Sequence, residues 1–295
     1  MENLTTLGVA SSLGCPRTEP AQGPSAVRSS LMFRERLAHH AIRLEWDKII
    51  STDAAHGNLQ AIANIGRQIS RWTGDLLTQR RSFLTIGGDH CCAMGTWSGA
   101  ASGLDTGQSF GLIWIDAHLD LHNFVSSPSG NIHGMPLAAL LGHSDRQLKQ
   151  IYGDGPILDA SNISIVGARS YEIEELQLLT ELTLTCYHGQ SIANHGGLTQ
   201  VLAEASNKLQ KTTDRFGISI DLDAVDPIDA PAVSTPEPSG IRGSELVEAL
   251  HQFNGNQQLA GIEIAEFAPG LDKQHKTLKL IGDIIAAVYA PTIIG

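Results

Sequence analysis

Trp114-Ile115-Asp116-Ala117-His118-Leu119-Asp120 closes an apolar run that begins at Phe110. Such a run reads as a strand buried on both faces, the kind a parallel sheet covered by helices contains. It ends on three metal-competent side chains spaced two apart. In extended backbone alternate residues share a face, so Asp116, His118 and Asp120 are expected to turn toward one point. Two carboxylates and an imidazole brought together repel and are costly to desolvate unless a cation sits between them. The competing reading is three polar residues in a solvated loop after a strand.

On either side of this stretch, strand and helix patterns alternate. Strands are expected at Thr5–Ala10, Ser82–Ile86, Ile163–Gly167, Leu182–Tyr187, Phe216–Asp221 and Leu259–Ile264. Helices are expected near Leu59–Thr78, Tyr171–Leu179, Leu198–Leu209, Gly243–Phe253 and Lys276–Tyr289, with another opening near His133-Gly134-Met135-Pro136. Ser25 is placed to cap an early helix with Val27, Leu31, Phe33 and Leu37 at its apolar positions. The alternation predicts an α/β fold, a three-layer α/β/α arrangement with a mainly parallel central sheet, where ligands gather beyond the carboxyl ends of the strands. No repeat or Pro/Ser-rich linker divides the chain, so residues 1–295 read as a single domain. Pro227–Pro238, with four prolines, reads as a rigid functional loop.

The formal net charge is -11 and no Lys/Arg-rich block is present, which argues against nucleic acid and anionic membranes as partners. No apolar run approaches the roughly 20 residues that span a bilayer, and the start lacks a secretory pattern. A cytoplasmic location is the expectation. Cys15, Cys91, Cys92 and Cys186 match neither a disulfide framework nor a zinc spacing, so they read as reduced, mostly buried thiols. His39, His40, His56, His188 and His195 read as surface residues.

Other strand ends carry the same chemistry. Ser82–Ile86 leads into Gly87-Gly88-Asp89-His90, and Ser219-Ile220-Asp221-Leu222-Asp223 repeats the apolar strand ending in alternating carboxylates. Asp226, before a proline, reads as a turn residue. Glu266 follows the last strand, three positions after Glu263, so in extended backbone the two would face opposite ways and only one would serve. Six residues, His90, Asp116, His118, Asp120, Asp221 and Asp223, suffice for two divalent ions that share carboxylates; the rival is a structural ion-pair network. Nitrogen and oxygen donors without sulfur suit manganese, with zinc, iron, cobalt and nickel as alternatives. A water bridging two such ions would be acidified and held as a nucleophile. Four ionised aspartates and a hydroxide leave such a site slightly negative, and no Lys or Arg occurs in Phe110–Leu137 or Phe216–Ile241. A phosphoryl substrate would need cationic help, whereas a planar guanidinium is recognised by carboxylates.

Together these motifs resemble the ureohydrolase family of arginases, agmatinases, guanidinobutyrases and formimidoylglutamases. The likeness runs from Gly23-Pro24 through Gly87–His90, Asp116–Asp120 and Ser219–Asp223 to Glu266. The resemblance implies an α/β fold with a binuclear manganese centre, two Mn2+ per subunit, in a homo-oligomer, a trimer or hexamer. By motif, His90, Asp116, Asp120 and Asp221 would hold one ion, and Asp116, His118, Asp221 and Asp223 the other. Asp120 would also orient the hydroxide and pass a proton to the departing amine, and Glu266 would anchor the guanidinium.

Ser126–Pro136 is similar to the arginase branch in particular. Ser129 would then meet the substrate's carboxylate, with Asn131, also counted as substrate-binding, in the same loop; His133 would shuttle protons, and Thr235 would lie near the substrate. Glu172 stands where the branch has an aspartate for the α-amino group, and Glu175 matches a second acidic position. His122 replaces a carboxylate-binding asparagine and Cys91 a serine. Capping or packing is the rival role for His133, and solvated loop positions for Ser129 and Glu172. The implied reaction is hydrolysis of L-arginine to L-ornithine and urea. Agmatine, guanidinobutyrate or formimidoylglutamate are the alternative substrates, and a non-catalytic scaffold is the reading from another class.

Overall fold

The computed structural model describes residues 2–51, 57–153 and 157–291, and His56 lies outside them. The chain runs β1 (Glu2–Val9), α1 (Gly23–Ser29), α2 (Leu31–His39), β2 (Ile42–Ile50), α3 (Asn58–Thr78), β3 (Phe83–Ile86), α4 (Cys92–Ser102) and β4 (Phe110–Ile115). It continues through α5 (Pro136–Leu140), β5 (Ile163–Val166), α6 (Ile173–Glu181), β6 (Thr185–Tyr187), α7 (Leu198–Thr212), β7 (Arg215–Asp221), α8 (Gly243–Leu250), β8 (Leu259–Ala265) and α9 (Lys276–Tyr289). Among the described residues eight strands form one sheet in the order β2-β1-β3-β8-β7-β4-β5-β6, and each of these pairings is parallel.

Helices cover both faces, which is why β4 is apolar at successive positions rather than alternate ones. Leu112 and Trp114 join the cluster that contains Ile69, Trp72 and Trp97. Ile113 and Ile115 join the opposite one, with Leu202, Leu246 and Ile281. All six residues of β4 are buried.

Strand order explains where distant residues meet. After β3 the chain skips two places to lay down β4, β5 and β6, then returns to fill the gap with β7 and β8. The carboxyl ends of β3, β8, β7 and β4 are therefore consecutive neighbours. His90 follows β3, Glu266 follows β8, Asp221 and Asp223 lie at the end of β7, and Asp116–Asp120 follow β4.

Three local expectations change. Ser25 lies inside α1, and the cap belongs to Ser30, whose side chain accepts the Phe33 N–H at the start of α2. β2 has no counterpart in the sequence reading. It is an edge strand with Arg43, Glu45, Asp47 and Lys48 exposed, the charged composition that guards an edge against further pairing. The helix expected at His133 begins only at Pro136, after a 3-10 turn over Ile132–Gly134. The glycine pair after β3 does permit a tight approach: a Cβ on Gly88 would stand 1.9 Å from the Ser11 carbonyl oxygen. Cys91 and Cys92 are free and buried.

Candidate metal centre

His90 enters from the turn after β3 with its ring stacked on Trp114, centroids 4.2 Å apart. Its Nδ1 lies 3.2 Å from Asp116 Oδ2, 3.2 Å from Asp120 Oδ2 and 3.2 Å from Asp221 Oδ2. Three carboxylates from two different strand ends thus surround one nitrogen. The other side of the ring explains its orientation. Ser219 donates its hydroxyl to Glu263 Oε1 at 3.1 Å, which leaves the Ser219 oxygen to accept from His90 Nε2 at 3.0 Å. With Nε2 as the donor, the Nδ1 lone pair faces the carboxylates.

A second group stands beside the first and shares Asp116. His118 Nδ1 lies 3.1 Å from Asp223 Oδ2 and 3.5 Å from Asp116 Oδ1. Asp116 therefore turns one oxygen toward each histidine. Main-chain donors hold the carboxylates: His118 N–H donates to Asp116 at 2.8 Å and Asp223 N–H to Asp221 at 2.8 Å. Trp114 Nε1–H adds a 3.0 Å bond to Asp116 Oδ2, and Thr235 Oγ1–H a 2.9 Å bond to Asp223 Oδ2.

So many acids cannot be buried unless positive charge is found among them. Burial opposes a charged His90, yet the Asp116, Asp120 and Asp221 carboxylates 3.2 Å from Nδ1 hold its pKa well above the imidazole range. The same contest, with Asp223 and Asp116 as partners, raises His118. Asp116, despite burial, is held below the carboxylate range by His118 and His90. Asp120 is pushed up to about 6 by burial and then by Asp116, and Asp221 rises well above its usual value through burial, Asp223 and Asp116. A bound cation would relieve the same repulsion among these carboxylates. His90 Nδ1, Asp120 Oδ2 and Glu266 Oε2 are buried without a hydrogen-bond partner. His90, Asp116 and Asp120 offer ligand atoms mutually within 4.8 Å, and so do Asp116, His118 and Asp223. Nitrogen and oxygen donors with unsatisfied lone pairs fit a pair of divalent cations.

The centre opens into a pocket of about 250 Å³ whose lining includes His118, Asp120, Asp221, Asp223, Ser129, Asn131 and Glu172 and, among the described residues, no Lys or Arg.

The Arginase family model matches residues 2–290. This chain belongs to the arginase family. It is 32% identical over 300 residues to the arginase of Brevibacillus brevis, covering 99% of each chain. It is also 32% identical to that of Bacillus caldovelox over 98% of each. The crystal structure of arginase from Bacillus subtilis superposes with a TM-score of 0.89 at 31% identity, over 99% of this chain and 100% of that one. The arginase family membership makes the chain a ureohydrolase, an enzyme acting on linear amidines.

Within that frame the expected ligands converge, though not for the reason of extended spacing. β4 stops at Ile115, and Asp120 has a left-handed φ of 53°, a conformation aspartate tolerates better than most residues. Asp223 sits in a 3-10 turn after β7, not in the strand. Glu266 lies beyond β8 with φ 68°, so the strand argument that set it against Glu263 fails. Both carboxylates bear on His90. Glu266 Oε1 accepts the His90 N–H at 3.0 Å and lies 3.1 Å from His133 Nδ1, while Glu263 acts through Ser219.

The expected substrate residues Ser129, Asn131, His133, Glu172, Glu175, Thr235 and His122 all line the pocket. Glu175 is buried and occupied with the Leu121 and Glu172 N–H groups, at 3.0 and 3.1 Å. His122 faces Glu172 at 2.9 Å. The sequence reading gave no role to Trp114, Ser219 or Arg169, and set Glu263 only against Glu266. Arg169 donates to the carbonyls of Asp223, Ala224, Glu237 and Pro238 at 2.7 to 3.1 Å, fastening both ends of the Pro227–Pro238 loop. Only Trp114, two positions before Asp116, left a local signal.

Proposed function

We propose that this enzyme hydrolyses L-arginine to L-ornithine and urea with two Mn2+ ions, and that it works in the cytoplasm as a trimer or hexamer. The carrying observation is the pair of His/Asp groups joined through Asp116 beneath a pocket free of Lys and Arg. His90, Asp116, Asp120 and Asp221 would hold one ion, and Asp116, His118, Asp221 and Asp223 the other. Bound there, the ions supply Lewis acidity that polarises water for attack on the guanidinium carbon.

The remaining work falls to side chains. Asp120 lines the pocket beside the centre and would take a proton from the attacking water and return it to the leaving amine. Burial opposes a charged His133, but Glu266 outweighs it and lifts the ring to about 9. His133 therefore stays protonated near neutral pH and, being partly exposed, exchanges protons with bulk water. Glu266 is fully buried and is not among the pocket-lining residues, so its unpartnered Oε2 would accept a guanidinium N–H only from a substrate that displaces its cover. At the outer end, Ser129 and Asn131 offer neutral donors to a carboxylate, and Glu172 offers charge to an ammonium group.

A panel of L-arginine, agmatine, guanidinobutyrate and formimidoylglutamate with Mn2+, scored by urea or formamide, tests this. Arginine is expected to give the highest kcat/KM. Preference for agmatine would remove the roles given to Ser129 and Asn131.

A further inference from the structure

His122 is 93% shielded from solvent in the pocket wall, and both ring nitrogens are engaged. Nδ1 meets the Ser126 hydroxyl at 3.1 Å. Nε2 meets Glu172 Oε2 at 2.9 Å, with Glu175 Oε2 3.4 Å away. The ring therefore points a donor at two acidic side chains. A substrate carboxylate approaching Nε2 would run into both, which disfavours the direct role that position 122 was expected to have.

The two glutamates differ in freedom. Glu175 is buried, and its oxygens are taken by main-chain N–H groups of Leu121 and Glu172. Glu172 is 53% exposed at its side chain and is the N-cap of α6, in a capping box with Glu175, so the helix start already holds its carboxylate from one side. His122 holds it from the pocket side. A carboxylate has about four acceptor sites, so Glu172 can hold these donors and a ligand together. The His122 hydrogen bond, the largest influence on Glu172, also holds its carboxyl below the ordinary range and so keeps it charged.

We infer that His122 is a positioning residue for substrate selection: it fixes Glu172 at the outer end of the pocket, ready for the ammonium group of a guanidino substrate, and does not itself bind the substrate's carboxylate. This rests on the guanidino reading of the site. The substrates favoured at this end carry a primary ammonium several bonds from the guanidinium, with or without a neighbouring carboxylate.

Three compounds separate the possibilities: L-arginine, agmatine, which keeps the ammonium and lacks the carboxylate, and 5-guanidinopentanoate, which keeps the carboxylate and lacks the ammonium. KM is measured for each, or Ki where a compound is not turned over, alongside kcat and metal content. His122→Ala is expected to raise KM for arginine and agmatine about tenfold, the scale of one hydrogen bond to a charged group. KM or Ki for 5-guanidinopentanoate, kcat and metal content should stay put. His122→Gln, whose amide reaches about as far as Nε2, should restore KM. In a Glu172→Ala background, which has no acceptor left for Nε2, His122→Ala should add nothing, because the two act as one unit. A rise for 5-guanidinopentanoate with agmatine unchanged would make His122 a carboxylate ligand and overturn the inference. So would unchanged KM values throughout, or loss of metal together with kcat. If the unmodified enzyme releases no urea from arginine or agmatine, the guanidino reading itself falls, and this inference with it.

Discussion

Asp116 ties the centre together, because each of its oxygens faces a different histidine. Its surroundings show how little of the site's support lies in the ligands themselves. Trp114 donates to it, Ser219 aligns His90, and Glu263, fully buried with one unpartnered oxygen, sits behind Ser219. A histidine whose outer nitrogen is held by such a chain is fixed in tautomer and orientation. Replacing Glu263 by Gln is expected to weaken metal binding about 10- to 100-fold, the usual effect of losing an outer partner. Titration of metal-free protein by calorimetry measures it, and an unchanged affinity would show that the Ser219 contact does nothing for the metal. Legibility at this scale follows distance along the chain. Asp116, His118 and Asp120 announce themselves as a cluster after one strand. Ser219 and Glu263 are ordinary residues inside two strands, 44 positions apart from each other, and Ser219 is 129 positions from His90. Only the register of β7 against β8, where Ser219 pairs with Glu263, makes them neighbours.

Elements deliver the ligands by ending at the right place rather than by their own periodicity. The period-two reading picked residues that the structure brings together, because short turns after β4 and β7 also carry alternate side chains to one side. It could not foresee the left-handed backbone of Asp120 and Glu266, which costs roughly 1–2 kcal/mol per residue and is tolerated where the surroundings fix it. Helix ends were misjudged for a related reason: two serines near α1 and α2 fit the capping rule, and only the break between the helices chooses Ser30. Ser30→Ala should therefore destabilise the protein by about 1 kcal/mol, whereas Ser25→Ala removes no cap. Urea denaturation of the two variants checks this, and equal losses would refute the assignment. β2 stayed hidden because its charged alternate positions resemble a surface segment more than a strand of a buried parallel sheet.

At the scale of the whole molecule, the skipped places in the sheet gather the ends of β3, β8, β7 and β4, and with them most of the protein's buried acids. Such a concentration of charge ties folding to whatever cation is bound. Manganese at about 100 times its Kd is expected to stabilise the fold by about 2.7 kcal/mol relative to metal-free protein, seen as a rise in Tm. The pH dependence has a definite sign. Asp120 and Asp221 have pKa values raised by burial, and His90 and His118 have values raised by their carboxylate partners, so protons must leave as cations enter. Metal affinity should rise with pH, and binding heats should vary with the ionisation enthalpy of the buffer. Heats that do not depend on buffer would mean the ligands are already deprotonated. The most direct measurement counts bound Mn2+ by equilibrium dialysis while following urea release from arginine, for the unmodified chain and for Asp223→Ala. The expected result is two ions per chain, a rate that tracks occupancy of the second, and loss of both an ion and the rate in the variant. Full urea release with a single ion bound, or a variant that keeps both ions and its rate, would show that the paired centre around Asp116 is not what performs the reaction.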